Sequence, residues 1–236
     1  MAEEKKGSTV LIVGAGSGLS ASLARLFAAE GARVAATARD TGKLAALVAE
    51  TGALAVRGDA TDPDQVEAAF AAVEGRWGVP DLVVYNASYR ARGPLVALDP
   101  KEVERALAVT AYGGFLVAQA AARRMLPRGS GAIFFTGASA SVKGYPESAP
   151  FAMGKFALRG LAQSMARELA PQGIHVAHFV IDGAIRRGSA DPRAGERGAD
   201  SLLSPDEIAR TYLHVYRQQR SAWTWEVELR PWVERF

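Results

Sequence analysis

The glycine-rich turn at residues 14–18 constrains the fold of this chain more than any other stretch. It lies between an unbroken apolar run, Thr9–Val13, and a segment whose apolar residues recur at helical spacing. An apolar run without alternation is typical of a parallel strand covered on both faces. Glycines let the backbone approach a pyrophosphate, which the N-terminus of the following helix attracts. The stretch therefore predicts a βαβ unit whose backbone binds a dinucleotide through Gly14, Gly16, Ser17, Gly18 and Leu19.

The second strand of this unit indicates which dinucleotide is bound. It spans residues 33–39 and ends on Arg39, followed by Asp40. A carboxylate at this place suits the ribose 2′-hydroxyl of NAD(H), whereas an arginine suits the 2′-phosphate of NADP(H). The guanidinium of Arg39 is planar and always charged, which fits a phosphate. We predict that NADP(H) is preferred, with NAD(H) as a possible alternative because a slight shift would bring Asp40 to the ribose.

The rest of the chain alternates between predicted strands and predicted helices. The predicted strands cover residues 53–57, 81–85, 132–136, 174–181 and 223–229, and the predicted helices cover 43–50, 63–73, 100–126, 150–170 and 204–217. Regular alternation of this kind predicts an α/β fold, a doubly wound, Rossmann-like three-layer αβα sandwich with a seven-stranded parallel sheet. Ligands of such sheets bind at the carboxyl ends of the strands.

A length of 236 residues without an evident linker predicts one domain. Residues 8–95 are expected to bind mainly the dinucleotide, and residues 96–236 to carry the active site and the substrate half. The stretch 188–203 is polar and rich in glycine, arginine and aspartate, which predicts a mobile loop beside the substrate.

Composition argues against several other classes of protein. The net charge is only +3 and the arginines are scattered, so nucleic-acid binding is not expected. The chain has no cysteine, which excludes disulfides and thiolate metal sites. His175, His178 and His214 lack the spacing of metal ligands, so we predict no metal site. No signal peptide and no run long enough to cross a bilayer is evident, which predicts a cytoplasmic protein without a membrane partner.

Several motifs together resemble the short-chain dehydrogenase/reductase family over nearly the whole chain. The turn Gly14-Ala-Gly-Ser-Gly18-Leu resembles the family motif T-G-x-x-x-G-[IL]-G, and Asn86-Ala87 resembles part of N-N-A-G. The stretch from Gly131 to Lys155 is similar to the one that carries the family's active site. The resemblance implies a nicotinamide cofactor and a homodimer or homotetramer. It adds further cofactor-binding residues, namely Asp59, Ala60, Asn86, Ala87, Lys155, Gly183 and Ile185.

The catalytic positions depart from the family pattern. The family uses an Asn, a Ser, a Tyr and a Lys, the last two as Y-x-x-x-K, and the resemblance places Thr110, Ala138, Phe151 and Lys155 at these positions. Residues four apart share a helix face, so Phe151 and Lys155 are expected to be neighbours. Phe151 has no proton to give, whereas a general acid accelerates carbonyl reduction roughly 10²–10⁴-fold.

Three functions are compatible with this pattern. The first is an NADP(H)-dependent oxidoreductase that acts on a small carbonyl substrate with a relocated proton donor, for which we name Lys155, Ser139 and Tyr145. The second is an enoyl- or dienoyl-type C=C reductase, although Ser148 stands where enoyl reductases of this family have a tyrosine. The third is a catalytically silent dinucleotide-binding protein. A nicotinamide pocket filled by Phe151, Phe135 and Met153 would favour the third function.

Overall fold

Seven parallel strands form one sheet in the computed structural model, which describes residues 7–188, 191–198 and 200–234, apart from the side chains of residues 196 and 197. The strand order is β3-β2-β1-β4-β5-β6-β7. The strands are β1 Thr9–Val13, β2 Arg33–Ala38, β3 Leu54–Arg57, β4 Leu82–Tyr85, β5 Gly131–Thr136, β6 Ile174–Ile181 and β7 Glu226–Leu229. This order confirms the predicted doubly wound, Rossmann-like fold.

Helices cover both faces of the sheet. They are α1 Leu19–Ala29, α2 Ala45–Thr51, α3 Pro63–Trp77, α4 Pro100–Leu107, α5 Gly113–Met125, α6 Ala149–Leu169, α7 Pro192–Arg197 and α8 Pro205–Tyr216. One hydrophobic core joins α1 and α8 to the sheet, and the other joins α3, α5 and α6 to its opposite face. The middle strands are apolar on both faces because both faces are buried.

Capping residues explain where several helices begin. The side chain of Asp62 accepts hydrogen bonds from the backbone N–H groups of residues 64 and 65, and Asp99 accepts one from residue 101. Each cap is followed by a proline, which has no N–H group to leave unsatisfied. Ser204 caps α8 in the same way. The helix starts predicted from these pairs are confirmed.

Three elements differ from the sequence prediction, and the first is the strand predicted over residues 223–229, which begins only at Glu226. The single helix predicted over residues 100–126 is divided by a π-helical turn, Ala108–Tyr112, between α4 and α5. The predicted loop 188–203 contains α7, which begins after Asp191 because this side chain accepts a hydrogen bond from the backbone of Arg193. Asp191-Pro192 is thus the same start signal as Asp62-Pro63, and it was overlooked.

The change in strand order positions the ligand cleft. β1 pairs with β2 on one side and with β4 on the other. The connections after β1 and β4 therefore diverge to opposite faces and leave a crevice at their carboxyl ends. Among the described residues, no side chain caps the first turn of α1, which begins after Gly18, so the first N–H groups of this helix can bind an anion.

Candidate active site

A cleft of about 630 Å³ opens at the carboxyl ends of β1, β2 and β4. It brings together eight of the predicted cofactor-binding residues, namely Gly14, Gly16, Ser17, Arg39, Asp59, Ala60, Asn86 and Ala87. Gly18, Leu19, Lys155, Gly183 and Ile185 do not line it. The cleft therefore unites the predicted nucleotide half of the site, whereas the predicted nicotinamide half lies beyond it.

The glycines of the turn serve two different purposes. Gly14 has a φ of +82°, and a Cβ there would lie 2.5 Å from the backbone nitrogen of Ala87. Gly14 is thus required by the fold itself. By contrast, a Cβ built on Gly16 or Gly18 would have no neighbouring atom within 4 Å. Packing does not require these two glycines, and the open space beside them fits a closely approaching pyrophosphate.

Ser20, in the first turn of α1, stands where the motif T-G-x-x-x-G-[IL]-G, which the turn resembles, has its last glycine. Its buried hydroxyl donates to the carbonyl of Gly14 over 3.2 Å and accepts a hydrogen bond of 2.7 Å from the side-chain amide of Asn86. The serine therefore ties the glycine turn to the segment that follows β4. Asn86 is held at the rim of the cleft by this bond.

Two cations lie at the end of the cleft next to β2. Arg39 and Lys43 both line it. Asp40 accepts a hydrogen bond from the backbone of Gly42 and lies 3.7 Å from the ammonium of Lys43. Asp40 thus begins the following turn, which weakens the alternative in which it binds a ribose. Sequence reasoning missed Lys43, although its place four residues after Arg39 was visible.

Asp59 lies at the end of β3 with one oxygen engaged locally. Its Oδ1 accepts hydrogen bonds from the backbone and hydroxyl of Thr61, at 2.9 and 2.8 Å. Among the described residues, nothing donates to Oδ2. This oxygen can accept a hydrogen bond from an amino group in the cleft.

Lys155 is buried on α6 and faces the end of β5. Its ammonium donates a hydrogen bond of 2.6 Å to the carbonyl of Thr136. Burial, together with the smaller effect of the charge of Arg90, lowers the pKa of Lys155 to about 7. The ammonium lies 5.8 Å from the ring centroid of Phe151, as their spacing predicted.

Thr110 is fully buried in the π-helical turn. Its hydroxyl accepts a hydrogen bond of 3.2 Å from the backbone of Tyr89. A Cβ on Gly154 would lie 2.9 Å from the Cβ of Thr110, so α6 packs closely against this turn. The side chain therefore supports the segment after β4.

A buried chain of hydrogen bonds holds the turn after β5. The backbone of Ala138 donates to the hydroxyl of Ser141 over 3.1 Å, and this hydroxyl lies 3.3 Å from Nε2 of His178. Nδ1 of His178 lies 3.0 Å from Glu226, which a bidentate contact from Arg159 holds at 2.6 and 2.7 Å. Sequence reasoning missed this chain, because its members come from four separate elements.

The tautomer of His178 follows from its neighbours. A carboxylate can only accept, so Nδ1 carries the proton and Nε2 accepts from the hydroxyl of Ser141. Burial lowers the pKa of His178 to about 4, although Glu226 acts in the opposite direction. The ring is therefore neutral at neutral pH, and the chain ends at Ala138 rather than at an accessible nucleophile.

The two remaining predicted donors have different surroundings. Ser139 begins the turn after β5, and its backbone carbonyl accepts hydrogen bonds from Val142 and Lys143. Tyr145 is 42% exposed and lies beside Lys143, whose ammonium is 5.8 Å from the tyrosine ring centroid. The hydrogen bond with Tyr145 and the charge of Asp182 both raise the pKa of Lys143. Tyr145 thus has a hydroxyl next to a stable positive charge.

The three side chains that would together favour a silent binding protein have different surroundings. Phe135 belongs to the core on the α3, α5 and α6 face, and Met153 is 49% exposed. Phe151 is buried, and the guanidinium of Arg90 lies on it, 4.1 Å from the ring centroid. The exposure of Met153 therefore gives no support to a pocket filled by all three.

Two negative findings concern residues 7–188, 191–198 and 200–234. No helix in these ranges has the length and apolar character needed to cross a membrane. In the same ranges, no group of three or more histidine, aspartate or glutamate side chains is arranged to hold a metal ion.

Comparisons with known proteins agree with this geometry. The sequence profile of the family described as short chain dehydrogenase matches residues 8–186. Among curated proteins, the chain is similar to the 3-oxoacyl-[acyl-carrier-protein] reductase MabA of Mycobacterium tuberculosis. The two are 33% identical over 177 residues, which cover 75% of this chain and 69% of that protein.

Solved structures show similarity over greater lengths. A short-chain dehydrogenase from Rhodopseudomonas palustris is 36% identical with a TM-score of 0.82, and the match covers 96% of this chain and 99% of that one. A metagenomic short-chain oxidoreductase solved in complex with NADP is 26% identical with a TM-score of 0.83, covering 97% and 99% of the two chains.

Proposed function

Because the chain belongs to the short-chain dehydrogenase family, we propose that it is an NADP(H)-dependent oxidoreductase that reduces a small carbonyl substrate with a relocated proton donor. The observation that carries this proposal is the cleft at the ends of β1, β2 and β4, which holds both the open glycine turn and two cations. A protein with no use for a dinucleotide has no physical reason to keep this space.

The preference for NADP(H) is proposed from the charges at the end of the cleft. Arg39 and Lys43 would both contact a 2′-phosphate, while Asp40 is engaged by the turn that it begins. The similar metagenomic enzyme was solved in complex with NADP, which supports the same preference. The bound nicotinamide would supply the hydride, and the chain's own residues bind, orient and protonate.

We propose that Phe151 replaces the family tyrosine and that Tyr145 supplies the proton instead. Phe151 has no hydroxyl, and its ring is covered by Arg90. Tyr145 is exposed, and the neighbouring ammonium of Lys143 would stabilise the phenolate left after proton transfer. Lys143 would thereby stabilise the phenolate of Tyr145, as the lysine of the family pattern Y-x-x-x-K does for its tyrosine.

The other two predicted donors have weaker support. Lys155 has a pKa near neutrality, but its ammonium is directed to the carbonyl of Thr136 in the interior. We propose that Lys155 positions the end of β5 and contacts the nicotinamide ribose only if this hydrogen bond is exchanged. Ser139 would contribute a hydrogen bond to the substrate oxygen, the role of the nearby family serine.

A second function is favoured by one observation. The stacking of Arg90 on Phe151 covers the place where the family has its acid. A dinucleotide-binding protein without turnover would tolerate this arrangement. The relocated donor and the silent binder differ in one measurable property, since only the former oxidises NADPH when a substrate is present.

The test has two stages. Titration with NADPH and NADH measures whether a dinucleotide binds, and turnover assays on a panel of ketones, aldehydes and enoyl thioesters then measure the reaction. Tyr145→Phe is expected to lower kcat by about 10²-fold or more on the best carbonyl substrate, while Tyr112→Phe, another exposed tyrosine, serves as the control. Undiminished kcat in Tyr145→Phe would remove this residue as the donor, and turnover of enoyl thioesters alone would identify a C=C reductase.

We also propose a homodimer or homotetramer built on α5 and α6. Large apolar side chains are exposed on these helices and the adjoining turn, namely Tyr112, Phe115, Met153 and Phe156. Apolar side chains grouped on one surface are typical of an interface between subunits. Sedimentation of the purified protein measures the stoichiometry, and a monomer at micromolar concentration would contradict the proposal.

A further inference from the structure

Arg90 lies on the ring of Phe151, and Arg92 and Arg187 are near enough for their charges to act on Arg90. Arg90 and Arg92 come from the segment after β4, and Arg187 comes from the segment after β6. These two strands flank β5 in the sheet, so their following segments lie on either side of the connection that leads into α6. Phe151 stands in the first turn of α6. The topology thus concentrates positive charge at one point above the predicted substrate position.

The guanidinium of Arg90 is oriented by the ring beneath it. It lies 4.1 Å from the ring centroid of Phe151, which is itself buried. A guanidinium that lies over a ring can direct its N–H groups outward, where they can form a bidentate contact with an oxyanion. Among the described residues, no group accepts a hydrogen bond from Arg90, so its donors are available to such a ligand.

The charges of these arginines are not balanced by the described side chains. No described carboxylate forms an ion pair with Arg90, Arg92 or Arg187. Partial burial lowers the pKa of Arg90 most, and the positive charges of Arg92 and Arg187 lower it by a smaller amount. The nearest acid in sequence, Asp191, accepts a hydrogen bond from the backbone of Arg187. Its carboxylate is paired with Arg193 at 2.6 Å. The positive charge of Arg90 on the ring of Phe151 is therefore available to a ligand.

We infer that Arg90, supported by Arg92 and Arg187, binds an oxyanion of the substrate, so that this chain acts on a negatively charged carbonyl compound rather than on a neutral one. The inference rests on the proposed function, because it names the substrate class of that site. A carboxylate and a phosphate ester share the required chemistry, since either accepts the paired N–H groups of a guanidinium. Phe151 then provides the platform that holds Arg90, which gives this side chain a use other than acid catalysis.

The experiment measures binding in the presence of NADP⁺, which cannot reduce the probe. Two matched pairs are titrated calorimetrically, 4-oxopentanoate against its methyl ester and dihydroxyacetone phosphate against dihydroxyacetone. The anionic member of at least one pair is expected to bind about tenfold more tightly or better, as for a charge-assisted bidentate contact. A preference in the carboxylate pair or in the phosphate pair supports the inference and identifies the oxyanion.

Variants of Arg90 localise the effect. Arg90→Gln is expected to remove the preference, and Arg90→Lys to retain only part of it because the fork is lost. Arg76→Gln is the matched control. The guanidinium of Arg76 also lies over an aromatic ring, 5.5 Å from the centroid of Trp77, but Arg76 belongs to α3 and not to the segments that carry the proposed site. Equal binding of charged and neutral probes, or a preference that survives Arg90→Gln, would overturn the inference.

Failure of the proposed function gives a different result. If the anionic probes bind through Arg90 but NADPH reduces none of them, the reductase proposal fails while the anion site stands. If Arg90→Gln weakens the binding of NADP⁺ itself as strongly as that of the probes, the arginine belongs to the cofactor site and the inference is wrong.

Discussion

Arg39 is the residue on which the choice of cofactor depends. It lines the cleft together with Lys43, and the competing Asp40 is held by the turn that follows. A charge-assisted contact with the 2′-phosphate contributes on the order of 1.5–3 kcal/mol. Arg39→Ala is therefore expected to weaken NADPH binding about tenfold or more and to leave NADH binding nearly unchanged.

Fluorescence titration of both dinucleotides checks this prediction. Arg76→Ala is the control for a general loss of positive charge, because Arg76 lies on α3 outside the residues that line the cleft. Equal affinities for NADPH and NADH in the unmutated protein would contradict the assignment before any variant is made.

Phe151 is the residue on which the chemistry depends. Phe151→Tyr would add a hydroxyl near Lys155, whose positive charge would lower the pKa of the new phenol, and Ala138→Ser would add a second hydrogen bond for the substrate oxygen. If Tyr145 proves not to be the donor, so that the protein lacks a positioned acid, the double variant is expected to gain activity on simple ketones by up to roughly 10²–10⁴-fold, the usual contribution of such an acid. If Tyr145 already acts as the acid, no such gain is expected.

NADPH oxidation with a panel of neutral ketones measures the gain. Phe156→Tyr, on the same helix but exposed, is the matched control. If the double variant binds NADPH and gains nothing, the missing hydroxyl is not what limits the reaction. A Phe151→Tyr change that lowers turnover of the protein's own substrate would favour a pocket shaped for phenylalanine.

Single residues were predictable where one local motif decides them. The glycine turn and Arg39 follow from their place in the first βαβ unit, Asn86 follows from the family resemblance, and all of them line the cleft. The contact between Arg90 and the ring of Phe151 was not predictable, because Arg90 lies 61 positions earlier in the sequence and only the fold brings the two residues together.

At the scale of elements, the hydrogen-bond chain through His178 joins four of them. It connects the turn after β5, β6, β7 and α6 by way of Ser141, His178, Glu226 and Arg159. Helix and strand patterns cannot predict such a link, since each member looks like an ordinary polar residue in its own segment. The π-helical turn at Ala108–Tyr112 could not be predicted from the sequence either, because no proline or capping pair marks it.

His178 makes the stability of this assembly dependent on pH. Its pKa is about 4 in the folded state, against an ordinary value of 6.5 in the unfolded chain. As pH falls below 6.5 the unfolded state binds a proton and the folded state does not, so stability is complete above 6.5 and is lost progressively down to about 4. Between pH 7 and 5 this loss amounts to about 2 kcal/mol in the free energy of unfolding.

Urea unfolding at pH 7 and pH 5 tests this dependence. His178→Asn keeps a donor for Glu226 but does not titrate, so it is expected to lose less stability over this interval than the unmutated protein. His214→Asn is the control, because His214 lies exposed on α8. An unchanged difference between the two pH values in His178→Asn would show that the acid sensitivity comes from other groups.

At the scale of the whole molecule, the strand order determines where everything else can act. Alternating strands and helices predicted a doubly wound parallel sheet, and β1 between β2 and β4 creates the crevice. The cofactor half of the site was therefore predictable from the sequence, because its residues follow the strands that end there. The proposed substrate half was harder to predict, since we assign it to connections such as the segment containing α7, which lack a repeating pattern.

Substitutions at Gly14 and Gly16 are expected to affect different properties, the first the stability of the fold and the second the binding of the ligand. Gly14→Ala is expected to lower the midpoint of thermal unfolding without any ligand, because its φ is +82° and a Cβ would meet the backbone of Ala87 at 2.5 Å. Gly16→Val is expected to leave this midpoint nearly unchanged, because its Cβ has no neighbour within 4 Å.

The effect of NADPH on the midpoint of thermal unfolding tests the role of Gly16 in ligand binding. A ligand at 100 times its Kd stabilises the folded state by about 2.7 kcal/mol, which raises the midpoint by about 5–10 °C in a chain of this size. We expect this rise in the unmutated protein and its loss in Gly16→Val, whose side chain occupies the space beside the turn. Because α1 begins three residues later and no side chain caps its first turn, a bulky residue at 16 would block the anion from these N–H donors. A full NADPH-induced rise in Gly16→Val would place the pyrophosphate away from this turn and would contradict the proposed mode of binding.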